Sequence, residues 1–416
     1  MSQVNNLSSE IEKQLPAELV EFMQEAGLVA DSQGQNLYLV GGVVRDLLLG
    51  RTNLDLDLVV EGDAINLAQR LADITQGKVT IHPRFQTANL KWNEWSIDIA
   101  TARSETYSRP GALPTVRPGY LDTDLFRRDF TINTMAVELI PSGWGELIDL
   151  YGGRDDLEKG LLRILHEGSF IDDSTRIWRG LRYEQRLDFK LESKTLRLLK
   201  RDIQMLGTIS GDRIYHELEL VLKEEFPEKA LRRAEKLMVL PELHPSLKGN
   251  GWLARKFDEA RKASSPNLPP VELYLALLAY RLTDDENEKL ISHFRLRKSH
   301  ARTLRDSHSI KTRLDSLAKP DITPSSVYHL LHGHSQSALT ASYLASDSPA
   351  AKQHIHLFLT RLRYIKLSLT GNDLQKMGFS PGPKIKELLS RLLETRLDGK
   401  VTTKQGEVEL VREWVD

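Results

Sequence analysis

Two aspartates one residue apart, Asp55 and Asp57, lie in the run Asn53-Leu54-Asp55-Leu56-Asp57-Leu58-Val59-Val60. One short helix upstream is a glycine pair, in Leu39-Val40-Gly41-Gly42-Val43-Val44-Arg45-Asp46. On a strand, residues i and i+2 share a face, so the spacing predicts both carboxylates on one side and Leu54, Leu56 and Leu58 in a core on the other. Paired carboxylates repel unless a cation sits between them, and hard oxygen donors that share space with a substrate favour Mg2+. The glycines free backbone amides at a helix start, a cradle suited to a triphosphate. A glycine pair alone is usually a turn, and an Asp-x-Asp alone is usually a solvated strand edge. Their order and proximity together point to metal-assisted nucleotidyl transfer.

The segment resembles the signature of the DNA polymerase beta nucleotidyltransferase superfamily. Its Gly-Gly-x-Val-Arg-Asp form is similar to that of class II tRNA nucleotidyltransferases and bacterial poly(A) polymerases. The resemblance implies nucleotide contacts from Gly41, Gly42 and Arg45, and metal binding by Asp55 and Asp57. In-line phosphoryl transfer also needs an acid near the attacking hydroxyl. Asp98, flanked by Ile97 and Ile99, is the candidate for that third catalytic residue. The stretch Ser104 to Gly119 is too rich in glycine and proline for helix or strand, and its position matches the family's flexible loop.

Arg127-Arg128-Asp129-Phe130-Thr131-Ile132-Asn133 matches the family's Arg-Arg-Asp-Phe-Thr-Ile-Asn motif, followed by Thr134 where alanine is commoner. An arginine pair can grip phosphates, and Asp129 and Asn133 can hold ribose hydroxyls. Ile148 to Gly153 resembles a hinge between head and neck. Asp172-Asp173-Ser174-Thr175-Arg176 resembles the Glu-Asp-x-x-Arg motif that reads the incoming base in place of a template, with Asp172 replacing glutamate. At i and i+3 on a helix, Asp173 and Arg176 would share a face. Asp173 only accepts, matching the exocyclic amine of cytosine or adenine, and Arg176 only donates, matching the adjacent ring nitrogen. Uracil and guanine present the opposite pattern, leaving unpaired groups at about 1 to 3 kcal/mol each when buried. Arg179, Arg182 and Arg186 continue a basic face toward the triphosphate or the RNA end. Ser210 to Leu218 resembles the family's Glu-Arg-Ile-x-x-Glu-Leu motif and reads as a helix N-cap and neck brace.

The elements that must position these groups follow from hydrophobic periodicity. It predicts a helix over Ala17 to Ala26 and another over Ala64 to Thr75. Strands are predicted at Leu37 to Val40, Leu54 to Val60, Lys78 to His82, Thr87 to Trp92, Ser96 to Ala100 and Met135 to Ile140. Beyond Gly153, apolar residues recur at three and four, the pattern of helices. Breaks fall at Ser264 to Pro270, Lys319 to Pro324 and Phe379 to Pro383. No internal repeat or low-complexity segment is evident.

With 416 residues, 40% of them hydrophobic, the chain can build several cores. It has no cysteine, which excludes disulfides and thiolate metal sites and suits a reducing cytoplasm. Met1 to Gln14 does not resemble a signal peptide, and Val271 to Leu282, the most apolar window, is too short to span a bilayer. Lys and Arg number 57 against 58 Asp and Glu, so RNA binding needs local patches. Candidates are Arg295, Arg297, Lys298 and Arg302 in one segment and Lys384 and Lys386 beside Gly382 in another.

The expected class is α+β. A nucleotidyltransferase head over 1–148 carries a small mixed sheet and helices. An all-helical neck (149–220), body (221–315) and tail (316–416) follow, the tail binding tRNA. The expected activity is addition or repair of all or part of the 3'-terminal CCA of tRNA from CTP, ATP or both, with Mg2+. The rival readings are poly(A) polymerase, which shares the chemistry, and a noncatalytic tRNA-binding module.

Overall fold

The computed structural model describes residues 5–414. The chain is α+β and divides into two compact units, Met1–Glu217 and Leu218–Asp416.

The first unit is built on a seven-stranded mixed sheet. Its strands are β1 (Asn36–Val40), β2 (Leu56–Glu61), β3 (Lys78–His82), β4 (Thr87–Trp92), β5 (Trp95–Thr101), β8 (Met135–Glu138) and β9 (Leu147–Asp149), in the order β3-β4-β5-β2-β1-β8-β9. All neighbours are antiparallel except β2 and β5, which run parallel and in register from Leu56 opposite Ile97 to Val60 opposite Thr101. A parallel pair requires a crossover. Helix Ala64–Thr75, β3 and β4 supply it, with Asp63 capping that helix by accepting from the Ile65 and Asn66 amides. Leu56, Leu58, Ile97 and Ile99 are buried beneath the central strands.

Several expectations are corrected. Strand β2 begins at Leu56, so Asp55 lies in the preceding turn and Leu54 is 42% exposed rather than in the core. The segment read as an irregular loop contains an antiparallel hairpin, β6 (Arg103–Thr106) and β7 (Thr115–Pro118), leaving only the tip irregular. Strand formation there was masked by the glycines and prolines of the tip itself. Beyond Gly153 a two-residue parallel pair survives, β10 (Leu161–Leu162) with β11 (Lys190–Leu191). The helix predicted to end at Ala26 continues through Gly27 to Asp31.

The rest of the first unit and the second unit are helical. Helix Thr175–Arg186 buries Trp178 completely and accommodates Phe130 at Gly180, where an added Cβ would stand 3.0 Å from the Phe130 ring. The second unit has a cluster of Val327, Leu331, Leu339, Ile355 and Phe358, and a C-terminal cluster of Leu369, Leu374, Leu392 and Val411. In the latter, buried Glu407 accepts from the Ser368 and Leu369 amides and pairs with Arg396. No helix among the described residues is long and apolar enough to cross a membrane.

Gly27 gives a test of this packing. Alanine favours helix by about 1 kcal/mol over glycine, but a Cβ at Gly27 would overlap the Leu139 carbonyl oxygen. Gly27→Ala is therefore expected to destabilise the protein by roughly 1 to 3 kcal/mol. Urea denaturation measures it; a stabilised variant would show that helix Ala17–Asp31 is not seated on Leu139.

Candidate active site

Strand register brings two of the acids together. Asp57 on β2 lies directly beside Asp98 on β5, and because neighbouring registered residues share a face, both carboxylates rise on one side of the sheet. Asp55, just before the strand, is held by an Asx turn in which its amide donates to Asn53 Oδ1 at 3.0 Å. Asn53 also donates to Asp46 Oδ2 at 2.7 Å, fastening this turn to helix Gly42–Leu48. Asn89, opposite Asp98 on β4, donates to Asp98 Oδ1 at 2.7 Å.

Asp57 is pushed up to about 6, first by burial and then by Asp55 and Asp98, against the opposing pull of Arg128 and Arg179. This is the electrostatic signature of a site short of positive charge. Hard carboxylate oxygens in that condition fit a divalent cation, although among the described residues they do not close into a ready-made three-ligand cluster. Gly41 has φ of 79°, where a side chain is strained. A Cβ there would stand 3.1 Å from Arg128 Nη1 and 3.4 Å from Asp57 Oδ2. The glycine thus keeps open the space between an arginine and a catalytic-type acid.

The Arg127 to Asn133 run is anchored by Phe130, fully buried and edge-on to Tyr183 at 6.1 Å between centroids. Its two arginines diverge. Arg128 makes a 2.9 Å ion pair with Asp124 Oδ2 and faces the Asp57 side. Arg127 holds Asp124 Oδ1 and Glu105 Oε1, turning toward the hairpin base. A single grip on phosphate by both is therefore not what this arrangement offers. Asp124, completely buried, is the residue that sets them apart. Burial alone would raise it, but Arg128 and Arg127 outweigh burial and hold it below the ordinary carboxylate range.

Asp129 and Asn133, expected at a ribose, are buried and face inward. Asp129 accepts from Asn133 and the Phe130 amide and forms a 2.8 Å ion pair with Arg179, off the line of a hydrogen bond. Burial would raise Asp129, yet Arg179, Asn133, Phe130 N–H and Arg176 hold it low. Arg45 is also internal, with its guanidinium spent on Asp46 and on Asn133 Oδ1 at 2.8 Å. It braces the glycine turn from beneath rather than reaching toward a ligand.

The Asp173 to Arg176 segment departs from one helical face. Helix Ser169–Asp172 ends there, Asp173 is extended, and a new helix starts at Thr175. Asp173 Oδ1 folds onto that start, accepting from the Thr175 amide and hydroxyl, and receives Arg213 Nη2 at 2.9 Å. Arg176, buried, donates to Ser169 Oγ at 2.6 Å, to Ser169 O and to the Arg127 carbonyl at 2.5 Å. The two side chains hold different partners and make no hydrogen bond to each other. Arg182 stacks on Tyr183 at 4.7 Å. Asp172 lies 3.7 Å from His166, whose ring stacks on Phe126.

Residues 37–163 match the poly(A) polymerase head domain, and residues 188–249 match the probable RNA and SrmB-binding site of polymerase A. The A-adding tRNA nucleotidyltransferase of Halalkalibacterium halodurans is 34% identical over 99% of this chain and 96% of its own length. The chain belongs to the poly(A) polymerase and tRNA nucleotidyltransferase family. A second A-adding tRNA nucleotidyltransferase, from Geobacter sulfurreducens, is 34% identical over 96% of this chain, which spans 47% of that longer protein. The Thermotoga maritima CCA-adding enzyme complexed with tRNA has 31% identity and a TM-score of 0.77, with 99% of each chain covered.

Within this family member, Asn53, Asn89, Asp124, Ser169, Arg213 and Glu105 support the site, and sequence reasoning singled out none of them for that work. Asn53 and Asp124 had local signals, the Asn-x-Asp turn and the i,i+3 and i,i+4 spacing to Arg127 and Arg128, while Glu105 and Arg213 act across long sequence separations. The hinge run is a capped turn in which Asp149 accepts from the Gly153 and Arg154 amides. Of the RNA-binding candidates, Lys298, Lys384 and Lys386 are exposed. Arg297 pairs with Glu219 at 2.8 Å, Arg302 donates to the Gly333 carbonyl, and Arg295 terminates helix Asp284–Phe294 with φ of 49°.

Asp124→Asn removes one partner of a buried charge network and is expected to destabilise the first unit by about 3 kcal/mol near neutral pH. Because its folded pKa is depressed, the contribution is fully present above the ordinary carboxylate pKa of about 4 and is lost as pH falls through the folded value. Urea melts of wild type and variant should therefore converge in acid; a gap constant with pH would show that Asp124 is not the ionised anchor of the two arginines.

Proposed function

We propose that this protein is a template-independent nucleotidyltransferase that completes the 3'-terminal CCA of tRNA, joining a nucleotide from CTP or ATP with release of pyrophosphate. The observation that carries the reading is the parallel registration of Asp57 with Asp98, with Arg128 and the side-chain-free Gly41 opposite. The tRNA 3'-hydroxyl would be oriented at Asp98, while Arg128 and the Gly41-Gly42 backbone would receive the triphosphate. A divalent cation, Mg2+ by the chemistry of its oxygen donors, would be held by Asp55 and Asp57 and would supply Lewis-acid stabilisation of the reacting phosphate.

Asp173 and Arg176 support selection of C or A over U or G, because one can only accept and the other only donate. Arg179 and Arg182 sit on the adjoining helix as phosphate-side support. The division into head (1–148), neck (149–220), body (221–315) and tail (316–416) is the organisation we adopt. Lys298, Lys384 and Lys386, with Arg295, Arg297 and Arg302, are assigned to tRNA backbone phosphates. The tRNA substrate and the absence of cysteine support a cytoplasmic location.

The A-adding names of two similar relatives favour addition of the terminal A. Purified protein incubated with tRNA lacking its end, ending in C or ending in CC, with each radiolabelled nucleotide, is expected to add one A to the CC form. Addition of C would move the assignment to CC or CCA synthesis, and long A tracts on unrelated RNA would move it to poly(A) synthesis. Asp55→Ala and Asp57→Ala should each lower incorporation roughly a hundredfold or more. Full activity in either would remove that residue from the chemistry.

A further inference from the structure

Arg213 is the second residue after the start of helix Gly211–Leu222, and its guanidinium is shared between two distant groups. Nη2 donates to Asp173 Oδ1 at 2.9 Å, and Nη1 donates to the Gly111 carbonyl at 3.2 Å. Gly111 stands in the tip of the β6–β7 hairpin with φ of 71°. It is pressed so closely on Thr208 that a Cβ would lie 2.6 Å from both its carbonyl and its hydroxyl oxygen. One arginine therefore seats the hairpin tip and occupies the carboxylate assigned to reading the base.

We propose that Arg213 is a specificity-determining positioning residue, a placeholder at Asp173 that the exocyclic amine of the incoming base displaces, releasing the hairpin tip as it does so. The inference rests on the assignment of Asp173 and Arg176 as base readers. An amine donates as the guanidinium does and can take its place on Oδ1. The carbonyl oxygen found at the same position in uracil or guanine accepts, is repelled by the carboxylate, and leaves Arg213 where it is. Asp173 Oδ1 already receives the Thr175 amide and hydroxyl, so the carboxylate is fixed by its own turn, and Arg213 is the donor on that oxygen that comes from a distant segment.

The pair is partly open to solvent, with side-chain exposures of 27% for Arg213 and 19% for Asp173, so a solute can reach it. The other end of the hairpin is tied to the second reader. Tyr107 donates to Glu105, Glu105 holds Arg127, and the Arg127 carbonyl receives Arg176. Both base-reading side chains are thus linked to one hairpin, Asp173 through its tip and Arg176 through its base. Only a planar fork can serve Asp173 and Gly111 together; a lysine ammonium on the same helix would reach one or the other.

Hydrogen exchange of segment 107–114 in the full-length protein tests this, with CTP, ATP, UTP or GTP added in turn. In wild type, the nucleotide that is incorporated should speed exchange at the tip roughly tenfold, the worth of one charge-assisted hydrogen bond, and UTP and GTP should not. Arg213→Gln should exchange fast without nucleotide and show no further response, and its KM for the incorporated nucleotide should fall because nothing must be displaced. Arg213→Lys should keep its ion pair with Asp173 while its tip exchanges as in Arg213→Gln. Gly111→Ala, which unseats the tip by overlap with Thr208, should show the fast exchange with an unchanged KM. An equal response of the wild-type tip to all four nucleotides, or unchanged protection in Arg213→Gln, would overturn the proposal. Failure of wild type to add any nucleotide to any tRNA end would instead refute the underlying functional reading.

Discussion

Strand register holds the Asp57 and Asp98 carboxylates side by side, and the remaining features of the first unit follow from having to tolerate that repulsion. The sheet is antiparallel everywhere except at this one pair of strands, and only there do two acids stand level on the same face. The lower face of both strands is sealed by Leu56, Leu58, Ile97 and Ile99, so neither acid can turn away without exposing the core. Burial and the neighbouring acids drive Asp57 up to about 6. The fold thus stores an unmet demand for positive charge at a fixed point, and Gly41 leaves the space above it unfilled.

Supplying arginines to such a site creates a second problem, since unpaired cations beside one another are as unfavourable as unpaired acids. Two buried carboxylates solve it. Asp124 takes Arg127 on one oxygen and Arg128 on the other, while Asp129 takes Arg179 and, through Asn133, fixes the brace Arg45–Asp46. Removing one member of such a network leaves an uncompensated buried charge, which is why its members are interdependent. The motif Arg-Arg-Asp-Phe-Thr-Ile-Asn is on this account a structural lattice in which Arg128 is the arginine beside Gly41 and Asp57. Its Phe130 matters as much as its charges, because packing at Gly180 is what brings Asp129 to Arg179.

The short-range part of this design was legible in the sequence. Alternation over Lys78–His82 and Thr87–Trp92 and helical spacing over Ala64–Thr75 give those elements to the residue, because local pattern and tertiary burial agree there. Asp55, Asp57 and Asp98 were visible because their apolar neighbours alternate with them. Leu54 was misplaced because alternation carries no information about where pairing begins, which β5 decides at Leu56 opposite Ile97. The helix carrying both Asp173 and Arg176 was misjudged for a related reason. Asp173 is the extended residue between two helices, and its side chain turns onto Thr175 at the start of the second, so it lies outside both. Of the arginines' partners, Asp124 stands at i,i+3 and i,i+4 to Arg127 and Arg128 and was open to a spacing argument, whereas Glu105 and Ser169 meet theirs through the fold.

The paired acids and the two side chains we assign to the base are joined by a short path of hydrogen bonds and ion pairs. Arg128 faces Asp57 and shares Asp124 with Arg127. The Arg127 carbonyl receives Arg176, and Arg176 is locked to Ser169 on the turn that presents Asp173. Every link is a hydrogen bond or ion pair between buried or half-buried groups, and all lie within one compact unit. On the proposed function, a nucleotide whose base satisfied Asp173 and Arg176 would have its phosphates delivered toward Asp57, and one whose base did not would be held out of line. In-line attack tolerates little displacement, about an ångström costing on the order of a hundredfold in rate. Discrimination by this path therefore need not come from binding energy at the base alone. On that function a mispaired base would also be penalised in geometry at the α-phosphate, which would let two side chains select a nucleotide without a template.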